Sequence, residues 1–257
     1  MTTSLSLKEK LNKRQVTIGS WITIGNEIIA EIMAKMNFDW LLIDMEHSAM
    51  DLTVAQNLVR VIEQNGTSPL IRVGENNANL IKRAMDTGAH GVMVPMVNSA
   101  EEARRAVAAV KYPPKGTRGV GLARAQGYGT GFEHYKNWVN KESVVVIQIE
   151  HIDAVENFEE IMAVEGIDAF VIGPYDLSGS VGYPGKFNHP KVKNSLKSVL
   201  QISEKKKYNA GIHVIPPDYK EVNKQVKSGF KFVALSLDTL LLAKFTEDSL
   251  KKIKRSA

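Results

Sequence analysis

Apolar runs and amphipathic segments alternate along this chain eight times, and that alternation restricts the fold more than any other feature. The runs VTIGSWI (16–22), FDWLLID (38–44), PLIRV (69–73), HGVMV (90–94), VVVIQI (144–149), AFVI (169–172), AGIHV (210–214) and FKFVAL (230–235) read as strands. Helical periodicity fills residues 26–36, 51–64, 78–85, 100–110 and 191–207 between them. VVVI and AFVI carry no polar alternation, as in strands buried on both faces. Strict β–α alternation predicts a parallel sheet. Eight units in 257 residues match a closed (β/α)8 barrel of the TIM type, one domain over residues 1–257. A doubly wound open sheet is the alternative.

Composition narrows the function. No apolar run reaches the roughly 18–20 residues of a membrane span. The N-terminal MTTSLSLKEKLNK lacks the apolar centre of a signal peptide. The absence of Cys removes disulfides, thiolate metal sites and Cys nucleophiles. These features predict a cytoplasmic protein away from membranes. The net charge of +5 raises the question of nucleic acid. Its lysines gather at 205–207 and at Lys251, Lys252 and Lys254 without interleaved aromatics, so no nucleic-acid partner is expected. The glycine-rich segment 111–131 lacks GxGxxG between a strand and a helix, which argues against a dinucleotide site.

Chemistry is sought at strand C-termini, where barrel active sites gather. Asp44, Glu46 and His47 follow the second strand, and Arg72 lies at the end of the third. Gln148 and Glu150 end the fifth, with Asp153 expected to cap the next helix, and Asp176 follows the sixth. Acids so close repel one another unless a cation joins them. Oxygen ligands suit Mg²⁺ or Mn²⁺, and Glu150 and Asp176, on adjacent strands, are the predicted pair. Asp44 is expected to orient His47 as an acid/base. Arg72, among apolar neighbours, requires an anionic partner. No strand carries a lysine inside or at its C-terminal end; Lys231 is near the start of its own. Metal-assisted carbonyl chemistry is therefore favoured over a Schiff base.

The motifs FDWLLIDMEH (38–47), LIRV (70–73), LIKRAMDTGAHGVMVPMV (80–97), YPPKGTRGVG (112–121), QIE (148–150) and GPYDLS (173–178) occur in this order. Jointly they resemble the HpcH/HpaI family of class II, pyruvate-dependent aldolases, over about residues 15–245. The resemblance implies reversible cleavage of a 4-hydroxy-2-oxo acid, such as 4-hydroxy-2-oxoheptanedioate or a 2-keto-3-deoxy sugar acid, to pyruvate and an aldehyde. It implies Mg²⁺ or Mn²⁺, with Co²⁺ a further candidate, on Glu150 and Asp176. Arg72 would hold the keto oxygen, His47 would act through a water, Gln148 would support pyruvate and Trp21 would line the pocket. The amides of Tyr175 and Asp176 would receive the carboxylate.

Asp86 ends the third helix, hence lies away from its own site. The resemblance places the matching acid in a neighbouring subunit's site and implies a homo-oligomer, commonly a hexamer built as a dimer of trimers. Arg118 and Arg124 are candidates to act across the same interface. The sequence departs from the family pattern at His213, where relatives carry an aliphatic residue, and at Tyr175, where they often carry Ala. Both leave pyruvate binding intact and bear on the aldehyde; His213 points to a polar or acidic one. Two other functions compete: an acyl-CoA lyase of the malyl-CoA or citramalyl-CoA type, and a non-catalytic scaffold. No distinct CoA motif occurs, and the complete set Arg72, His47, Glu150 and Asp176 argues against the scaffold.

Overall fold

In a computed structural model, which describes residues 5–253, the eight expected strands close into a parallel barrel in chain order. They are β1 (Thr17–Ile22), β2 (Trp40–Asp44), β3 (Ser68–Arg72), β4 (Gly91–Val94), β5 (Val144–Ile149), β6 (Ala169–Ile172), β7 (Ala210–Val214) and β8 (Phe232–Leu237). β8 pairs with β1, so no sheet edge is left open. Lys254 and the first four residues of the N-terminal segment lie outside the described residues. Among the described residues no helix is long and apolar enough to cross a membrane.

The two-residue period of a strand divides the core in two. Leu41, Ile43, Ile71, Val92, Ile147 and Phe170 point outward and pack under the helices. Trp40, Leu42, Leu70, Met93, Val146, Val171 and Phe232 point inward and fill the barrel. Trp40 stacks on Phe232 with ring centroids 4.0 Å apart. Gly19 makes room for that ring, because a Cβ there would stand 2.1 Å from Trp40. The helix Leu7–Asn12 starts with a Ser6–Glu9 capping box and adds Leu7 and Leu11 to the inner cluster. With the interior filled by side chains, only the strand C-termini are left to hold a site.

The helices Glu27–Ala34, Leu52–Gln64, Ala78–Asp86, Ala100–Val110 and Pro190–Lys206 lie where periodicity placed them, with ends shifted by up to two residues. Their N-caps are side chains that accept backbone N–H groups, Asp51 from Val54 and Ser99 from Glu102 among them. Two helices ahead of β5 were not read from the sequence. Leu7–Asn12 is only six residues long, and Phe132–Glu142 directly follows the glycine-rich segment. That segment is irregular as expected, apart from one 3₁₀ turn at Arg124–Gln126. The cap after β5 is corrected: His151 Nδ1 accepts the Asp153 N–H at 3.2 Å, which places Asp153 inside the helix Ile152–Glu156.

Candidate active site

The inward ladder of each strand changes from apolar to polar at its C-terminal end. On β2 the sequence Trp40, Leu42, Asp44 runs up the interior; on β5 it is Val144, Val146, Gln148, then Glu150 just past the strand. β3 ends its inner row in Arg72, which is in register with Asp44. Trp21 on β1 and His213 on β7 occupy the same level. Together with His47 from the loop after β2 and Tyr175 and Asp176 from the helix after β6, they line one cavity of about 380 Å³. Of the candidate residues from the sequence, Glu46, Asp86, Arg118 and Arg124 are not part of its lining.

Arg72 organises the polar contacts. Its Nε and Nη2 donate to Asp44 Oδ1 and Oδ2 at 3.0 and 2.7 Å, and Nη1 stands 2.9 Å from Glu46 Oε2. Its guanidinium packs 4.2 Å over the Trp21 ring. Burial alone would raise the Asp44 carboxyl, but the bidentate Arg72 outweighs it and holds Asp44 below its usual value. Asp44 also accepts the backbone N–H groups of Glu46 and His47.

These contacts correct one expectation. Asp44 does not hold the His47 ring, since its oxygens are taken by Arg72 and by backbone N–H groups. The imidazole instead faces Glu46, with Nε2 3.8 Å from Oε2, and is largely exposed. The anionic partner required by Arg72 is thus both Asp44 and Glu46.

Glu150 is buried. Oε1 accepts the Met96 N–H at 2.8 Å and Oε2 accepts from Gln148 Nε2 at 3.0 Å. Burial pushes its carboxyl up to about 7; the Met96 N–H opposes this, and the charges of Glu46 and Asp176 add to it. Burial, with Asp44 and Asp176, also raises Glu46 against the pull of Arg72 and His47. Asp176 sits in the first turn of the helix Pro174–Ser180 and makes no capping bond. Three acids, Asp44, Glu150 and Asp176, therefore line one cavity with Arg72, which is already committed to Asp44 and to Glu46 beside it. Glu150 and Asp176 are left without a cationic partner among the described residues.

That donor set fits a hard divalent cation. Each Glu150 oxygen has one hydrogen-bond donor, so lone pairs are left for a metal. Among the described residues no three Asp, Glu or His side chains converge on one point. A cation held by Glu150 and Asp176 would rest on two carboxylates, which leaves coordination positions for water and substrate. Gly173 keeps the carboxylate in place: a Cβ there would stand 2.8 Å from Glu150 Oε2 and 2.9 Å from its Cβ. Gly173→Ala is therefore expected to lower Mn²⁺ affinity roughly tenfold or more with the barrel intact. Calorimetric titration beside far-ultraviolet circular dichroism checks it, and unchanged affinity would count against the placement of Glu150.

Three contributors were not read from the sequence: the Met96 N–H, Gly173 and the ring-facing role of Glu46. Met96 adopts φ +51, a left-handed conformation unusual for a non-glycine residue, at the point where its N–H meets Glu150. Nothing local in VPMV signals that bond.

Asp86 lies outside the cavity, as its helix position requires. It is no solvated turn residue: Oδ1 pairs with Arg118 Nη2 at 2.5 Å. Arg118 is fully buried, donates to the Tyr135 hydroxyl at 3.0 Å and packs between the Tyr112 and Tyr135 rings. Arg124 bonds the Thr87 carbonyl and Glu63. Within the chain, both arginines are engaged by these contacts.

The HpcH/HpaI aldolase/citrate lyase family model matches residues 17–244. A 2-keto-3-deoxy-L-rhamnonate aldolase of Escherichia coli (strain K12) is 37% identical over 249 residues, 96% of this chain and 92% of the relative. Among solved structures, a HpcH/HpaI aldolase/citrate lyase family protein from Burkholderia cenocepacia J2315 superposes with a TM-score of 0.90 at 30% identity, covering 97% of this chain and 99% of that one. The HpcH/HpaI aldolase from Desulfitobacterium hafniense DCB-2 gives 0.88 at 31% identity, covering 99% and 98%.

Proposed function

The chain belongs to the HpcH/HpaI aldolase/citrate lyase family, and from that premise we propose that it reversibly cleaves a 4-hydroxy-2-oxo acid to pyruvate and an aldehyde with a divalent metal. The observation that carries this reading is the surplus of carboxylate around one arginine, with Glu150 and Asp176 unpaired beside it. Those two would hold Mg²⁺, Mn²⁺ or Co²⁺. When bound, the ion would withdraw electrons from the 2-keto group and make the adjacent carbon acidic.

The side chains supply the rest. Arg72, fixed by Asp44 and Trp21, directs its guanidinium at the keto oxygen and stabilises the charge that develops there. His47, supported by Glu46, takes the proton of the 4-hydroxyl through a water. The C3–C4 bond breaks, its electron pair passes to C3 and the keto oxygen, and the aldehyde leaves. Protonation of C3 gives pyruvate. Gln148 bridges Arg72 and Glu150 and keeps the two in register. The N–H groups of Tyr175 and Asp176, in the first turn of a helix, lack intrahelical partners and suit the pyruvate carboxylate.

Pyruvate release from 4-hydroxy-2-oxo acids, compared with glyoxylate release from malyl-CoA and pyruvate release from citramalyl-CoA, tests this reading. Turnover of the thioesters alone would favour the acyl-CoA lyase instead.

A homo-oligomer, expected as a hexamer, is part of the same proposal. The terminal helix Asp238–Lys252 buries only Asp238 and exposes Leu242, Phe245 and Leu250. The helix Glu27–Ala34 exposes Ile28 and Ile32, with Met36 beyond it. Apolar faces of this kind support self-association. Asp86 would serve a neighbouring subunit's cavity in such an assembly. Light scattering on the eluting protein is expected to give six chains; a stable monomer would refute it.

A further inference from the structure

β7 turns His213 inward, where its ring lies flat on Trp21, with centroids 4.9 Å apart and planes 8° from parallel. Its Nε2 stands 2.9 Å from the Ser236 carbonyl oxygen. A carbonyl accepts and never donates, so Nε2 carries the ring proton. The tautomer is held from behind. Ser236 adopts the left-handed φ of +52, and Ser20 Oγ donates to the neighbouring Leu235 carbonyl at 2.7 Å, which ties this stretch of β8 to β1. Burial lowers the imidazole to about 4, the carbonyl bond opposes this, and the Arg72 charge adds to it. The ring is therefore neutral near pH 7, and Nδ1 is a pure acceptor.

Nδ1 has no partner among the described residues, yet the ring lines the cavity beside Ile215 and Leu237. Such an acceptor calls for a hydrogen-bond donor, and the donor an aldehyde half can offer is a hydroxyl. A carboxylate has no proton to offer at neutral pH, and Arg72 is already held by Asp44 and Glu46.

Resting on the aldolase reading, we propose that His213 determines aldehyde specificity: its Nδ1 accepts a hydrogen bond from a hydroxyl of an uncharged aldehyde half. This keeps the polar part of the sequence expectation and removes the acidic part.

The test runs the purified enzyme in the aldol direction, with saturating pyruvate and three aldehydes: glyceraldehyde, propanal and succinic semialdehyde. The wild type is expected to favour glyceraldehyde by kcat/KM. His213→Phe keeps a ring to stack on Trp21 but removes both nitrogens. It is expected to lower the glyceraldehyde-to-propanal ratio about tenfold, the scale of one lost hydrogen bond. His213→Gln, which retains a donor and an acceptor, is expected to recover most of the ratio. An unchanged ratio in both variants would overturn the proposal, as would a wild-type preference for succinic semialdehyde over glyceraldehyde. Solvent exchange of pyruvate protons by the wild type separates the two levels. No exchange sinks the aldolase reading itself; exchange with an unmoved ratio sinks only the role of His213.

Discussion

Glu150→Gln is expected to abolish high-affinity Mn²⁺ binding, to cut aldol cleavage by roughly 10³-fold or more, and to raise the stability of the metal-free protein. The first two effects follow from losing one of only two anionic ligands. The third follows from the position of the carboxylate, buried beside Glu46 and Asp176 with its carboxyl pushed up to about 7. A carboxyl whose folded-state value is raised makes the fold less stable as pH climbs. The cost begins above the ordinary value of 4.5 and is complete above about 7. Gln removes that cost, which is on the order of 2 to 4 kcal/mol at pH 8. Urea unfolding at pH 8 and pH 4 measures it, and the gain should vanish at the lower pH. Added Mn²⁺ should stabilise the wild type and leave the variant unchanged. A variant less stable at pH 8 than the wild type would contradict this account of the acids.

Arg72→Lys is expected to reduce kcat/KM for cleavage by roughly 10²–10³-fold although the positive charge is kept. Lys cannot reproduce the two parallel bonds to Asp44 or the flat contact with Trp21. The donor aimed at the keto oxygen would then be displaced and mobile. Mn²⁺ affinity should change little, because Arg72 donates to neither Glu150 oxygen. Titration calorimetry beside steady-state kinetics separates the two effects. A loss of metal binding equal to the loss of turnover would assign Arg72 a structural role.

The barrel was legible because its strands are long apolar runs and its helices are amphipathic, both of which are local patterns. The polar rim was legible too. Asp44, Arg72, Gln148 and Glu150 each follow an inward apolar row, and a period of two carries that row to the mouth. What escaped depends on contacts between distant segments. Whether Asp44 holds the ring of His47 or only its backbone N–H is decided by Arg72, 28 residues away. The Met96 N–H reaches Glu150 across 54 residues, and Gly173 matters only because Glu150 lies against it. The intrachain partner of Asp86, the buried guanidinium of Arg118, lies 32 residues on. The tautomer of His213 likewise follows from the Ser236 carbonyl on the next strand.

Solvent exchange of the methyl protons of pyruvate tests the central claim most directly, since it reports enolate formation without any knowledge of the aldehyde. In deuterated buffer with Mn²⁺, the wild type should incorporate deuterium into pyruvate. Incorporation should stop on full chelation and return on adding the metal back, and Glu150→Gln should show none under either condition. Exchange that continues in the chelated enzyme, or in Glu150→Gln, would contradict a metal held by Glu150 and Asp176 as the source of the reaction.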